Sequence, residues 1–440
     1  MLGAFLAIGY LALALLVVRS GKFFDLTGIG RRATAIVLVL KCAASCAIWW
    51  TYTHHYPDRQ AADIFKFFDD SAVMYSALPG APGDFVRMVT GVANDTDHFT
   101  ETYYRQMNNW FREYEGNLYN DSHTMIRFNA LVRLFSFGHF PVHMVVAAFL
   151  GLIGLTAILR AFLPHFPGQE RTLFVLVHGT PSVLYWGSGV IKESLVFFGI
   201  GLLLWQGMRW MRGELRWTGL PVILMTATFL FFLKFYVLLS MLPGFIAMAW
   251  CFRKPGHTLL KFTTVLAVFF LIGTNIQRLL PGFDLLDIIY WKHQDFIGLA
   301  TEASSGSYVP PPPLRPDPGS FIRFAPYALY ITLLGPLVHP ADGLLGWAAA
   351  AENVMILVVL VALLIGHRRI LGPNDPAILF FLISFITILG LVIGYTTPVM
   401  GAIVRYRTPA IPFLLIAALI LHDPARWRIR HVPFLFPRPQ

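Results

Sequence analysis

Three aspartates lie among aromatic side chains in D-I-F-K-F-F-D-D-S-A-V-M-Y, where Asp63, Asp69 and Asp70 follow closely on a strongly apolar segment. A carboxylate in such a place can take the proton from an attacking hydroxyl or hold a divalent cation. On a helix Asp63 and Asp70, seven residues apart, share one face with Lys66 between them. A solvated helix lying at a membrane interface is the plainer reading of the same residues. All three aspartates are candidates for a catalytic base, with Asp63 first.

Cations form a second set. In P-S-V-L-Y-W-G-S-G-V-I-K-E-S-L, residues 181–195, Gly187, Ser188 and Gly189 permit a tight turn or helix break, and Lys192 and Glu193 then open the next helix. Backbone N–H groups exposed at a helix start beside a cation suit a phosphate. Lys234 in L-K-F-Y, Arg278, and Arg405 and Arg407 in G-A-I-V-R-Y-R-T-P-A-I-P are further phosphate-binding candidates, since arginine stays charged and grips oxyanions with two donors at once. Each could equally anchor a lipid. In N-L-Y-N-D-S-H-T-M-I-R, Asp121, His123 and Arg127 are placed to contact a sugar, or to belong to a capping network around Asn120 or Ser122. His54, His55, His98, His123, His139 and His143 are dispersed without H-E-x-x-H spacing, so no zinc site is expected. Magnesium or manganese on the aspartates is the one cofactor candidate.

The elements that must position these groups are helices in a membrane. Of the 440 residues 56% are hydrophobic and only 13% charged, with a mean hydropathy of +0.61, too few charges for an ordinary soluble surface. A span needs roughly 20 apolar residues, and in lipid its backbone must be satisfied within the segment. Hydropathy predicts about 11 spans: 2–18, 34–52, 141–161, 172–188, 191–208, 219–233, 236–252, 262–280, 343–366, 376–396 and 406–422. The run 219–252 reads as a hairpin with Lys234 at its tip; a single tilted helix is the alternative. The fold class is thus all-α, a polytopic integral membrane protein with a mainly helical extracytoplasmic cap.

Charge sets the expected orientation. Basic residues collect in alternate loops: Arg19, Lys22, Arg31 and Arg32; Arg160 and Arg171; Arg209, Arg212 and Arg216; Arg253, Lys254 and Lys261; Arg368 and Arg369; and Arg426, Arg428, Arg430 and Arg438. The positive-inside rule then puts the N-terminus outside and the C-terminus in the cytoplasm. The net charge of +10 is a topology signal and a contact with anionic lipid, and no nucleic-acid partner is expected. The first helix lacks a basic region before it and reads as retained. Cys42, Cys46 and Cys251 fall in predicted spans and serve packing.

Five segments follow: helices in 1–52, an outer cap in 53–140, a helical core in 141–280, a second outer loop in 281–342, and C-terminal helices with a basic tail in 343–440. The cap has 11 acidic against 7 basic residues, whereas the expected cytoplasmic loops are basic. The second outer loop carries four consecutive prolines, which impose extended geometry, and an apolar stretch at 320–338 suited to dipping into the bilayer or lining a groove. No G-x-S-x-G, Walker A or G-x-G-x-x-G sequence occurs, which speaks against an ATP motor or a dinucleotide enzyme.

An apolar helix followed by a large outer loop with an early aspartate in a D-x-x-x-F-F setting resembles the GT-C superfamily of polytopic glycosyltransferases. The P-S-V-L-Y-W-G-S-G-V-I-K-E and R-Y-R-T-P-A-I-P segments are similar to sequences of membrane proteins of bacterial surface-polysaccharide machinery, O-antigen polymerases being the near alternative. The resemblance covers the topology and some 50 residues of motif, with an additional N-terminal helix and no D-x-D or E-x-D pair as departures. It implies a bacterial inner-membrane enzyme, a polyprenyl-phosphate or polyprenyl-diphosphate sugar donor, an acceptor glycan or glycolipid, and a base at Asp63 with Asp69 and Asp70 as competitors. From other classes come a transporter or flippase of lipid-linked sugars and a structural subunit of an export complex. A transporter should show internal repeats or midplane charges; no repeat is found, and Lys41 is the only clearly mid-span charge the sequence suggests.

Overall fold

The computed structural model describes residues 1–54, 58–60, 62–111, 119–278, 280, 282–302, 306–338, 343–367, 371–423 and 425. Arg368, Arg369 and the tail arginines at 426, 428, 430 and 438 lie outside the described residues. Those that are described form helices and no strand beyond isolated bridges.

Two peripheral helices, α1 (Leu2–Ser20) and α2 (Arg31–His54), precede four short ones, α3 (Asp63–Ser76), α4 (Pro82–Thr90), α5 (Asp97–Thr102) and α6 (Ser122–Ser136). The bundle continues with α7 (Phe140–Phe162), α8 (Glu170–His178), α9 (Pro181–Trp186), α10 (Lys192–Met211), α11 (Gly219–Arg253) and α12 (Thr258–Asn275). It closes with α13 (Leu285–Glu302), α14 (Pro318–Val338), α15 (Gly343–Ile365), α16 (Asp375–Thr396), α17 (Met400–Tyr406) and α18 (Ala410–Leu421).

Among the described residues seven helices are long and apolar enough to cross a membrane, or eight if α17 and α18, bent by 57°, count as one. The difference from the expected eleven has local causes. The run expected at 172–188 is broken by Gly179, Thr180 and Pro181 into α8 and α9. Gln206 and Arg209 dilute the apolar run of α10. The two runs expected around Lys234 are one 35-residue helical stretch.

That stretch nevertheless doubles back. Lys234 has φ −154° and ψ 81°, outside the helical region. Gly219 lies beside Gln206 near the C-terminal end of α10, Leu230 packs on Gly199, and Lys234 reaches Glu193 at the opposite end. Past Lys234 the order reverses: Phe245 packs on Gly207, and the Arg253 guanidinium sits 4.4 Å above the Trp210 ring.

Glycine lets the core helices approach closely. A Cβ on Gly201 of α10 would strike the Gly154 carbonyl of α7, and one on Gly394 of α16 the Ala328 carbonyl of α14, the close backbone contact typical of membrane helices. Basic residues of the short loops gather at one end, where Arg160 donates to the carbonyls of Lys22, Phe23 and Asp25 and where Arg31 pairs with Asp25. The short helices α3 to α6 stand at the other.

Candidate active site

Asp63 is the first residue of α3, and the apolar residues after it fix where it sits. Ile64 and Phe65 are buried in a small cluster with Ile48 of α2 and Ile191 before α10, flanked by Tyr185 and Trp186. One turn further on, Arg133 of α6 donates to Ser71 Oγ and to the Phe68 carbonyl, both at 2.7 Å. These contacts leave Asp63 and Lys66 facing the mouth of the bundle.

Charged side chains from five separate segments meet there. Asp63 accepts from Lys66 Nζ at 2.5 Å and from Arg405 Nη1 of α17. Arg405 Nε lies 2.8 Å from Glu193 Oε2 of α10, and Glu193 Oε1 accepts from Lys234 Nζ at 2.8 Å. The next residue, Lys192, pairs with Asp121 before α6 at 2.7 Å. Four cations thus face three carboxylates, leaving the assembly one charge positive. Its deep end is sealed, with the Glu193 side chain at 0% exposure and Lys234 at 5%, while its rim is open, with Asp63 at 25% and Asp121 at 30%.

Aromatic rings enclose the cations. Lys66 and Lys192 lie 5.0 and 5.2 Å from the Phe67 ring, and Lys234 lies 4.4 Å from Tyr406. Ring faces stabilise desolvated cations. Burial works to raise the pKa of Asp63, but Lys66 and Arg405 outweigh it and hold the carboxyl well below the usual carboxylate range. At rest Asp63 is therefore ionised and weakly basic.

The loop that presents Lys192 and Glu193 is held from beneath. Lys41 Nζ, fully buried in α2, donates to the Gly187 carbonyl at 2.6 Å. Ser194 Oγ turns back to the carbonyls of Gly189 and Ile191, each at 2.9 Å. The carboxylate of Glu193 sits in the first turn of α10, where the helix dipole favours negative charge. On the far side, residues 307–309 and 398–400 bond to one another, Val309 N–H to the Pro398 carbonyl and Met400 N–H to the Ser307 carbonyl, both at 2.8 Å. That bridge fixes the start of α17 and so the position of Arg405.

Other candidates from the sequence lie elsewhere. Asp69 is gripped by both donors of Arg59 at 2.8 Å on the surface. Asp70 is buried and accepts from the backbone N–H of Asn108 and Asn109 and from the Asn109 side chain, tying a loop to α3; burial pushes its carboxyl up against those bonds. His123 stacks on Trp110 at 3.7 Å, and Arg127 donates to the Met88 carbonyl and to Tyr119, so both bind the short helices together. Arg278 is exposed beyond α12 and joins no part of the assembly. Arg407 turns away from Arg405 towards the Thr332 and Leu333 carbonyls of α14.

Lys66 belongs to the assembly although the sequence hints at it only through its i,i+3 spacing from Asp63. Asp121, read from the sequence as a sugar contact, is the carboxylate partner of Lys192. Tyr406 and Phe67 carry no signal beyond their aromatic character. No three His, Cys, Asp or Glu side chains converge as metal ligands among the described residues. A divalent cation here would therefore take most of its oxygens from water or from a ligand rather than from protein side chains, as magnesium commonly does.

Comparison with protein-family models, with curated proteins and with solved structures finds no match to this chain.

Proposed function

We propose that the protein is a membrane glycosyltransferase that moves a sugar from a polyprenyl-phosphate or polyprenyl-diphosphate donor to an acceptor glycan or glycolipid at the extracytoplasmic face of a bacterial inner membrane. The observation that carries this reading is the meeting of Asp63, Lys66, Lys192, Glu193, Lys234 and Arg405 at the end of the bundle away from the basic loops. Positive residues favour the cytoplasmic side, so the site faces outward. Counting each half of α11, the broken pair α8 and α9, α10, and the bent pair α17 and α18 as crossings gives eleven passages, with the N-terminus outside, the C-terminus inside, and α3 to α6 as the outer cap.

The arrangement suits a leaving group anchored in the bilayer. A lipid phosphate entering at the rim meets Lys66 and Lys192 first and competes with Asp63 for Lys66 and Arg405. As those cations turn to the phosphate, Asp63 loses the charges that suppress its basicity. It then takes the proton from the acceptor hydroxyl while that oxygen bonds to the anomeric carbon. The bond from this carbon to the phosphate oxygen breaks, and its electron pair leaves with the lipid phosphate, stabilised by the same cations. Glu193, sealed between Arg405 and Lys234, keeps the remaining charge balanced.

A polysaccharide polymerase of the O-antigen type would use the same chemistry with a lipid-linked growing chain as donor. The test is turnover: protein reconstituted with polyprenyl-linked sugars and an acceptor should release lipid phosphate or diphosphate, and product length separates single transfer from polymerisation. Donor translocation with no release from any donor would instead identify a flippase.

A further inference from the structure

The guanidinium of Arg407 is 3% exposed and only half used. Its Nη1 donates to the carbonyls of Thr332 at 3.1 Å and Leu333 at 2.9 Å, while Nε and Nη2 have no hydrogen-bond partner. Those two nitrogens form the side edge of the fork. The same edge of Arg59 in this molecule holds both carboxylate oxygens of Asp69 at 2.8 Å.

Arg407 lines a small cavity between α14, α15, α16 and α18 together with Asn353, Leu333, Ile356, Ile386 and Leu414. Asn353 is 2% exposed, and its Nδ2 likewise has no partner. Its neighbour Glu352 is also buried and, like Lys41, lies well inside a predicted span. One oxygen of Glu352 is engaged by the Ser182 N–H at 2.6 Å, and it forms no ion pair with Arg407. Buried donors left unpaired cost about 1–3 kcal/mol each, more when charged. Three donors in an otherwise aliphatic cavity call for an oxyanion joined to an apolar body.

We propose that Arg407 and Asn353 form a second anion site, separate from the Asp63 assembly, which binds a phosphate group, either on a lipid whose chains lie along Ile356, Ile386 and Leu414 or as the free ion. The side edge of Arg407 takes two phosphate oxygens and Asn353 Nδ2 donates to one of them. The proposal does not depend on the transferase reading, because it is tested by binding alone.

The full-length protein, delipidated in detergent, is titrated with dioctanoyl phosphatidic acid, with inorganic phosphate, and with neutral dioctanoylglycerol. Wild type should bind the phosphatidic acid and not the neutral lipid. Arg407→Lys, which keeps the charge and loses the two-donor edge, should weaken binding roughly tenfold, and so should Asn353→Leu, which keeps the volume. Lys192→Met, which disables the phosphate end of the Asp63 assembly, should leave the Arg407-dependent binding in place. Inorganic phosphate binding as tightly as the lipid would identify the free ion as the occupant. Equal binding by wild type and both cavity variants, loss of binding in Lys192→Met alone, equal affinity for the neutral lipid, or no binding of either phosphate would each overturn the site.

Discussion

Arg405 pairs with Asp63 across 342 residues of sequence, and its Nε simultaneously reaches Glu193 at 2.8 Å. One guanidinium therefore links α3, α10 and α17. The carboxylate best placed to act as a base is also the one whose basicity the fold suppresses until something else claims its counter-ions.

Removing Glu193 should damage the fold more than removing any rim residue. Glu193→Gln leaves Arg405 and Lys234 facing one another without their buried carboxylate, and breaking such a pair typically costs about 3–5 kcal/mol. Thermal unfolding in detergent should show a large loss for Glu193→Gln and a smaller one for Glu193→Gln combined with Lys234→Met. Equal losses would mean that Lys234 and Glu193 are not coupled.

The Asp63 pairs should contribute stability that depends on pH in one direction only. The folded pKa is depressed below the unfolded value of about 3.9. The contribution is therefore complete above that unfolded value and is lost as pH falls through the lower folded one. The difference in unfolding temperature between wild type and Asp63→Asn should stay level from neutral pH to about pH 5 and shrink only in stronger acid. A difference that instead grew on acidification would show that the carboxyl is not held ionised by Lys66 and Arg405.

Lys41 should act on turnover at a distance. It touches no substrate-facing group, but its bond to the Gly187 carbonyl holds the turn that aims Lys192 and Glu193. Lys41→Met should lower kcat by about tenfold, since small displacements of positioned groups are costly, and leave KM for the donor nearly unchanged. A change confined to KM would point to donor binding instead.

Gly151→Ala tests the same support from the opposite side. A Cβ there would meet the Gly187 carbonyl and crowd Lys41, and overpacking of this kind costs about 1–3 kcal/mol. A variant with wild-type unfolding temperature and wild-type turnover would show that the turn tolerates displacement.

Much of this site is legible in the sequence because charge is rare in an apolar chain and expensive at membrane depth. That argument picks out Asp63, Lys192, Glu193, Lys234 and Arg405 without any structure. It cannot separate Asp63 from Asp69 and Asp70, because the choice rests on whether Arg405, Arg59 or the Asn108 and Asn109 backbone is the neighbour, and those partners come from elsewhere in the fold. Nor can it separate Arg405 from Arg407, which straddle the bend between α17 and α18 and so point to different walls. The number of spans is blurred for another reason. Hydropathy averages over a window and does not register the break at Gly179 to Pro181, and the turn at Lys234 shows in the sequence only because a charge interrupts the apolar run.

The most direct test of the transfer reaction is lipid phosphate release by wild type and Asp63→Asn, reconstituted side by side with donor and acceptor. The substituted asparagine keeps the shape of the side chain but has no carboxylate to take the acceptor proton. Turnover should fall by about 10²–10⁴-fold, the usual worth of a general base, with donor still bound. Release by Asp63→Asn at the wild-type rate would contradict the assignment of Asp63 as the base.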